Sequence, residues 1–349
     1  MTPFEKNTET ALRSSISDVS VILPVRNECD NLIRLDTELR EVLEKMTLRA
    51  EIIYVDDSSN DGSYETLLNV LHTSRDSRIR TKVVRLKRQY GQTAALAAGI
   101  EISESDLIIT LDADGQNNPA DIPLLYQGLD TETDVVCGWR YLRKDRFLTR
   151  RLPSIVANWL IGKVTGLHLH DMGCTFRIYR SSLLKELKLY GDMHRFLPVF
   201  LSQHGGRIKE IEISHRPRLS GVSKYGSERV FKVLVDLVVL GFVTRFYGRP
   251  MHFFGRLTGF FVIGFLLVSF PVIAHYVGLT MEFGFSLEVQ LPLGGFFLLS
   301  LLMLLGALTT LCFGVLGEIL VRIHHDVGGG RSYAIRDITS ESKVSSEAL

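Results

Sequence analysis

The sequence predicts an α/β domain built on a mostly parallel sheet with helices on both faces, followed by a membrane-associated C-terminal third. Three observations carry this expectation. Short apolar runs alternate with amphipathic segments from Val19 to about Arg216. Polar clusters close those runs at their C-terminal ends. Two stretches, Leu257–Met281 and Leu291–Gly317, contain no Asp, Glu, Lys or Arg, and each exceeds the roughly 20 residues that cross a bilayer.

The elements follow in order. Val19–Val25 reads as a strand, and Asn31–Met46 places Leu32, Leu35, Leu39, Val42 and Leu43 at helical spacing. Glu51–Asp57 is a second strand and Ser63–Ser74 a helix. Thr81–Leu86, Asp106–Asp112 and Asp134–Arg140 read as further strands, with a helix over Gln92–Ser103. Ligands of such sheets bind outside the carboxyl ends of the strands. Arg26-Asn27-Glu28, Asp56-Asp57, Asp112/Asp114 and Arg140 fall at four such ends, so one crevice is expected to gather them.

The charge balance is even, 40 Lys+Arg against 39 Asp+Glu. No global field therefore points to nucleic acid, and any anion site must be local. Cys29, Cys137, Cys174 and Cys312 are scattered without a CxxC pair; a reducing compartment is the simpler reading. The first 17 residues are polar, lack the apolar core of a secretory signal and read as a loose tail.

In the C-terminal third, Glu282 and Glu288 lie in the connection between the two apolar stretches. Arg245, Arg249 and Arg256 flank one outer end, and Arg322 and Arg331 the other. This bias predicts a two-span hairpin with both outer flanks in the cytoplasm. Two buried helices of a soluble core would instead show a polar face. Between domain and hairpin, a segment apolar but interrupted by Lys232 and Asp236 reads as interfacial amphipathic helices. A third span is the alternative, weakened by the roughly 2.5–3.5 kcal/mol cost of a central Asp. The expected boundaries are a tail over 1–17, a soluble domain over 18–222, juxtamembrane helices over 223–252, the hairpin over 253–323 and a flexible tail over 324–349.

Asp112 and Asp114, one residue apart after the run Leu107–Leu111, are the sharpest chemical signal. Asp-Gly is also a turn dipeptide, and a structural turn is the competing explanation. An EF-hand is excluded, because that loop requires Gly at its sixth place and Glu at its twelfth. The segment from Asp57 fails likewise, with Leu68 in the twelfth place. The functional reading is a hard divalent cation, which takes one or two carboxylates and completes its shell with phosphates and waters. His168, His170 and His194 lack metal spacing.

The motifs VILPVRNE, IIYVDDSSNDGS, LDADGQNNP, DMGCTFRIYR and HRPRLSGVSKYG, in this order, resemble the polyprenyl-phosphate branch of glycosyltransferase family 2. Relatives of that branch include dolichol-phosphate mannosyltransferases and bacterial undecaprenyl-phosphate sugar transferases. The resemblance covers about Val19 to Phe246 and implies a GT-A type Rossmann-like sheet. It implies transfer of a sugar from a nucleotide-sugar donor to a polyprenyl phosphate lipid acceptor at the cytoplasmic membrane, with Mg²⁺ or Mn²⁺. Pro24, Arg26, Glu28, Val55 and Asp57 are expected around base and ribose. Asp112 is expected to touch ribose or metal, with Ala113 and Gln116 at the donor site and Asp112, Asp114 and Gln116 as metal ligands. Arg140 is expected to reach diphosphate or sugar. Arg218 and Lys224 are expected to capture phosphate at the bilayer surface, where a lipid-attracting basic patch is the alternative. Arg177 is a weaker candidate that could simply pair with Asp171 inside the domain. Relatives commonly carry Tyr at Arg26, which leaves the base open between a UDP-hexose and GDP-mannose. A processive synthase is disfavoured by the missing Gln-x-x-Arg-Trp motif, and a non-catalytic scaffold by the intact ligand set. The hairpin is also a surface through which copies could associate.

Overall fold

The computed structural model describes residues 18–46, 48–73, 78–141, 152–189, 191, 193–216, 250–276, 293–326 and 333–340. The expected juxtamembrane helices lie outside the described residues except at their last three positions, and so do Arg218 and Lys224. The chain divides into two compact units, 1–237 together with 330–349, and 238–329.

The first unit is one eight-stranded sheet in the order β7-β5-β6-β4-β1-β2-β3-β8. The strands are β1 (Val19–Val25), β2 (Ala50–Asp56), β3 (Ile79–Leu86), β4 (Leu107–Thr110), β5 (Val135–Arg140), β6 (Arg177–Arg180), β7 (Ile208–Ile213) and β8 (Ile335–Ser340). β4, β1, β2 and β3 run parallel, with Val21 opposite Ile52 and Ile109. β6 runs antiparallel between β4 and β5, so β5 points the same way as β4. The ends of β1, β2, β4 and β5 therefore share one edge, as the sequence predicts.

Helices α1 (Cys29–Lys45), α2 (Ser63–Thr73) and α3 (Gln92–Ile102) connect the parallel strands. α1 buries Leu32, Leu35, Leu39 and Leu43, the stripe read from the sequence, against β1 and β2. α3 buries Ala and Gly instead, which lets it lie close to the sheet. A Cβ on Gly99 would stand 2.4 Å from Ile22 Cγ2, so only glycine fits there. Helices α4 (Ile122–Gly128), α5 (Leu152–Thr165), α6 (Ser181–Lys185) and α7 (Leu197–Gln203) complete this unit among the described residues.

One expectation is corrected here. Residues 335–340, read as part of a flexible tail, form β8, antiparallel to β3 with Val84 opposite Ile338. The Lys87 amide donates to the Ala334 carbonyl at 2.9 Å, and Tyr333 hydrogen-bonds Glu101 through its hydroxyl. Polar composition hid the strand because it lies at the sheet edge, where charged residues such as Arg336 and Asp337 are tolerated.

The second unit contains α8 (Pro250–Tyr276) and α9 (Leu293–Asp326). The spans of 24 and 27 residues have mean hydropathy 2.0 and 2.4. Their large side chains point outward: Leu267 is 70% exposed and Phe260 66%. Such outward-facing apolar surface suggests association with a membrane. The two helices touch through small residues, with Gly306 facing Phe261 and Gly264 facing Met303. Thr258 and Thr310 share a hydrogen bond of 2.9 Å between them.

Candidate active site

The loop after β1 and the loop after β2 lock together. The Asn27 amide donates to Ser59 Oγ at 3.0 Å, and the Asn60 amide to Asn27 Oδ1 at 3.0 Å. The Glu28 amide donates to Ser63 Oγ at 3.0 Å. Asn27 and Ser58 are the non-glycine residues with positive φ among the described residues, at 56° and 59°. Left-handed backbone at such residues costs energy and clusters at functional sites.

Arg26 serves this clamp. Its Nη1 donates to the Asp57 carbonyl at 2.8 Å and to the Ser58 carbonyl, and its Nη2 to Gln89 Oε1 at 3.2 Å. Asp57 receives the Tyr90 and Gly91 amides on its two carboxylate oxygens, at 2.7 and 2.8 Å. Burial nevertheless holds its carboxyl above the usual value. Asp57 thus pins the segment that opens α3, at a glycine whose φ of 95° only glycine adopts readily. Pro24 sits partly buried near the end of β1. Val55 is fully buried in β2 beneath Gly99. Its side chain packs under α3 from within the core.

β4 ends at Thr110, and the acid pair occupies the turn beyond it. The Leu111 amide still donates to the Ile22 carbonyl at 3.1 Å, which keeps the turn anchored to β1. Ala113 belongs to the hydrophobic core between the two acids. Gly115 takes φ 70°, and the Gln116 amide donates to Asp114 Oδ1 at 3.1 Å. The Gln116 carbonyl accepts the Arg216 amide at 2.9 Å. Arg216 is itself held by Glu38 and Asn118, each at 2.6 Å. The turn is therefore tied on both sides before any ligand arrives.

Asp112 Oδ1 accepts from Gln92 Nε2 at 2.8 Å. Burial, then the neighbouring Asp114 charge, pushes the Asp112 carboxyl up to about 6, with Arg140 and Arg177 pulling the other way. Among the described residues no group of three His, Cys, Asp or Glu is set to hold an ion by itself. Two crowded carboxylates, one resisting ionisation, could hold a cation only if it took its remaining ligands from phosphate and water.

Arg140, at the end of β5, points its guanidinium at Asp171: Nε to Oδ2 at 2.6 Å and Nη2 to Oδ1 at 2.9 Å. Burial opposes its charge, and the Asp171 carboxylate more than restores it. The Asp171 amide is held by Glu210 Oε1 at 2.9 Å. Arg177, for which a pair with Asp171 is the alternative reading, lies 1% exposed and donates to the carbonyls of Met172, His194 and Arg195. Its position on β6 places it inside the sheet, where a bare charge must be consumed by carbonyls. Glu28 accepts from Asn31 Nδ2 at 2.7 Å at the start of α1. His170 is exposed against Glu210, and His194 is buried on Thr93 Oγ1 at 2.7 Å. Cys174 and Cys137 are buried, their thiols pushed up to about 11 and about 12, which removes them as nucleophiles.

Sequence reasoning missed Gln92 and the Arg140–Asp171 pair. The available signals were a Gly-Gln at the head of an Ala-rich helix and an Asp ahead of Met-Gly-Cys in a segment without periodicity.

The family model described as Glycosyl transferase family 2 matches residues 20–188. A dodecaprenyl-phosphate galacturonate synthase from Rhizobium johnstonii is 35% identical over 92% of this chain and 93% of its own. An undecaprenyl-phosphate 4-deoxy-4-formamido-L-arabinose transferase from Edwardsiella ictaluri is 33% identical over 95% of this chain and 98% of its own. Among solved structures, the mannosyl-3-phosphoglycerate synthase of Rubrobacter xylanophilus superimposes with TM-score 0.51 at 17% identity, over 68% of this chain and 76% of that one. The glucosyl-3-phosphoglycerate synthase of Mycobacterium tuberculosis, in a complex with Mn²⁺ and UDP, gives TM-score 0.50 at 15% identity, over 67% and 81%. These establish a shared GT-A fold, and the homologues are polyprenyl-phosphate sugar transferases. The chain is a glycosyltransferase, and it belongs to glycosyltransferase family 2.

Proposed function

We propose that this chain transfers a sugar, from a UDP-hexose class of donor, to a polyprenyl phosphate at the cytoplasmic face of the membrane, with inversion at the anomeric carbon. The observation that carries the reading is the acid pair Asp112/Asp114, with Asp112 held up to about 6. It stands at an edge where the ends of β1, β2, β4 and β5 converge. Relatives matching more than nine-tenths of the chain are named for transfer involving a polyprenyl phosphate.

The chemistry follows from charge. A phosphomonoester has its second pKa near about 6, so the acceptor is largely a dianion at neutral pH and needs no strong base. A lone pair of that phosphate forms the bond to the anomeric carbon. The bond from that carbon to the diphosphate breaks, and its electron pair leaves with the nucleoside diphosphate. Asp112 and Asp114 would hold Mg²⁺ or Mn²⁺, with Gln116 beside them; when bound, the ion neutralises the diphosphate and stabilises the leaving group. Asp57 and the Tyr90–Gly91 amides frame the nucleoside side, with Glu28, Arg26 and Pro24 on the adjoining loop. Arg140, oriented by Asp171, supplies positive charge toward diphosphate and sugar. Arg218 and Lys224 are assigned to the acceptor phosphate on their sequence alone.

The helices fit this reading. The polyprenyl tail stays in the bilayer, so the phosphate lies at the headgroup plane. The Arg-rich outer flanks and acidic connection favour cytoplasmic termini.

The test is a donor screen with the purified full-length chain, undecaprenyl phosphate, and Mg²⁺ or Mn²⁺, read by release of nucleoside diphosphate. Turnover of one UDP-sugar with inverted product, abolished by Asp114→Ala, supports the assignment. Turnover of GDP-mannose alone, or a retained anomeric configuration, defeats it.

A further inference from the structure

We infer that Gln92 is a positioning residue: its side-chain amide fixes the Asp112 carboxylate in the orientation that receives the metal–diphosphate. The inference rests on the function proposed above and extends it to a residue outside the acid motif. Gln92 is the first residue of α3, and its Nε2 donates to Asp112 Oδ1 at 2.8 Å.

The platform beneath Gln92 is fixed on three sides. The two preceding amides, of Tyr90 and Gly91, are held by Asp57. The next residue, Thr93, is 4% exposed and bonded to His194 at 2.7 Å. Farther along the helix, Gly99 leaves no room between α3 and the sheet, with Ile22 and Val55 directly beneath it. A glutamine side chain is ordinarily free to rotate. Here its backbone is anchored and its amide is tied to Asp112, which together narrow the conformations open to it.

The consequence is a connection across the strand ends, with hydrogen bonds at each end joined by backbone. It runs from Asp57 after β2, through residues 90–92, to Asp112 after β4. The residue assigned to the nucleoside and one assigned to the diphosphate are thereby set relative to each other by three consecutive positions. An ionised carboxylate can accept at several lone-pair positions. One donated hydrogen bond therefore fixes its plane and leaves capacity for a cation. Residues that orient metal ligands in this way typically change metal affinity by about 10–100-fold when removed.

Gln92→Met keeps the length and bulk of the side chain and removes the donor. Gln92→Ala removes donor and bulk together. Calorimetric titration of Mn²⁺ into the full-length protein with UDP present reads the effect directly, and thermal melting in EDTA reports the fold. Both variants are expected to weaken Mn²⁺ binding by about 10-fold or more, with Gln92→Met melting within a degree or so of the parent. Unchanged Mn²⁺ affinity in Gln92→Met overturns the inference, whether or not Gln92→Ala loses it, because a loss confined to Ala is a packing effect. Asp114→Ala is the reference: if it too binds Mn²⁺–UDP normally, the proposed metal site itself fails, and not only the role of Gln92.

Discussion

Arg140 and Asp171 form a two-point ion pair, Nε to Oδ2 at 2.6 Å and Nη2 to Oδ1 at 2.9 Å, with both side chains largely buried. The fork geometry aims the guanidinium and limits its rotation. Removing the carboxylate charge leaves a partly buried cation with a weaker partner, which is costlier than losing both groups. Asp171→Asn is expected to lower kcat/KM by about 10–100-fold, an effect of about 1.4–2.7 kcal/mol. Arg140→Lys should do the same, because a point charge cannot make two parallel bonds. Steady-state kinetics on both variants checks this; wild-type kcat/KM in Asp171→Asn would remove Arg140 from the donor site.

The Asp112 carboxyl gives a pH signature in the ion-free protein. Its folded value of about 6 lies above the ordinary 3.8, so the fold binds the proton more tightly than the unfolded chain does. Stability from this group is full below about 4 and is lost as pH rises through about 6. The loss is at most about 3 kcal/mol, from about 1.4 kcal/mol per pKa unit. Asp112→Asn removes that loss. In EDTA at pH 7.5 the variant should melt several degrees above the parent, with the gap closing toward pH 4. The same variant should show little transfer activity. A variant that melts below the parent at pH 7.5 would contradict the assigned electrostatics.

β8 closes the β3 edge, and the same C-terminal segment holds the residue that opens the β3–α3 connection through the Lys87–Ala334 hydrogen bond of 2.9 Å. Deleting 333–349 uncovers β3 and frees that connection, which carries Tyr90 and Gly91. We expect aggregation on size-exclusion chromatography and at least a several-fold rise in KM for the donor. Deleting 341–349 alone should change neither. Equal behaviour of the two deletions would show that the strand contributes nothing to the site.

Much of the site was legible because it obeys local rules. Asp57, Asp112, Asp114 and Arg140 each stand just after an apolar run, and parallel strands bring such ends to one edge whatever the details of packing. The apolar stretches at the C-terminus were equally legible, since absence of charge over a bilayer's thickness is a property of composition. β6, β7 and β8 were not. They are short and rich in charge: β6 is a buried four-residue strand with an Arg at each end, β7 and β8 are half-exposed, and Ile208–Ile213 carries Lys209, Glu210 and Glu212. Such strands exist through pairing with distant partners and leave no period of their own.

The sequence by itself determined the order of the parallel units, the acid pair at a strand end and the two apolar helices, because each follows from periodicity or composition within a few tens of residues. Tertiary structure alone decided which groups meet. Asp171 faces Arg140 rather than Arg177, Gln92 reaches Asp112 from 20 positions away, and the C-terminal strand returns to pair with β3. Side-chain partners are chosen by proximity after the sheet has assembled, and the cost of leaving a buried polar group unpaired enforces the choice.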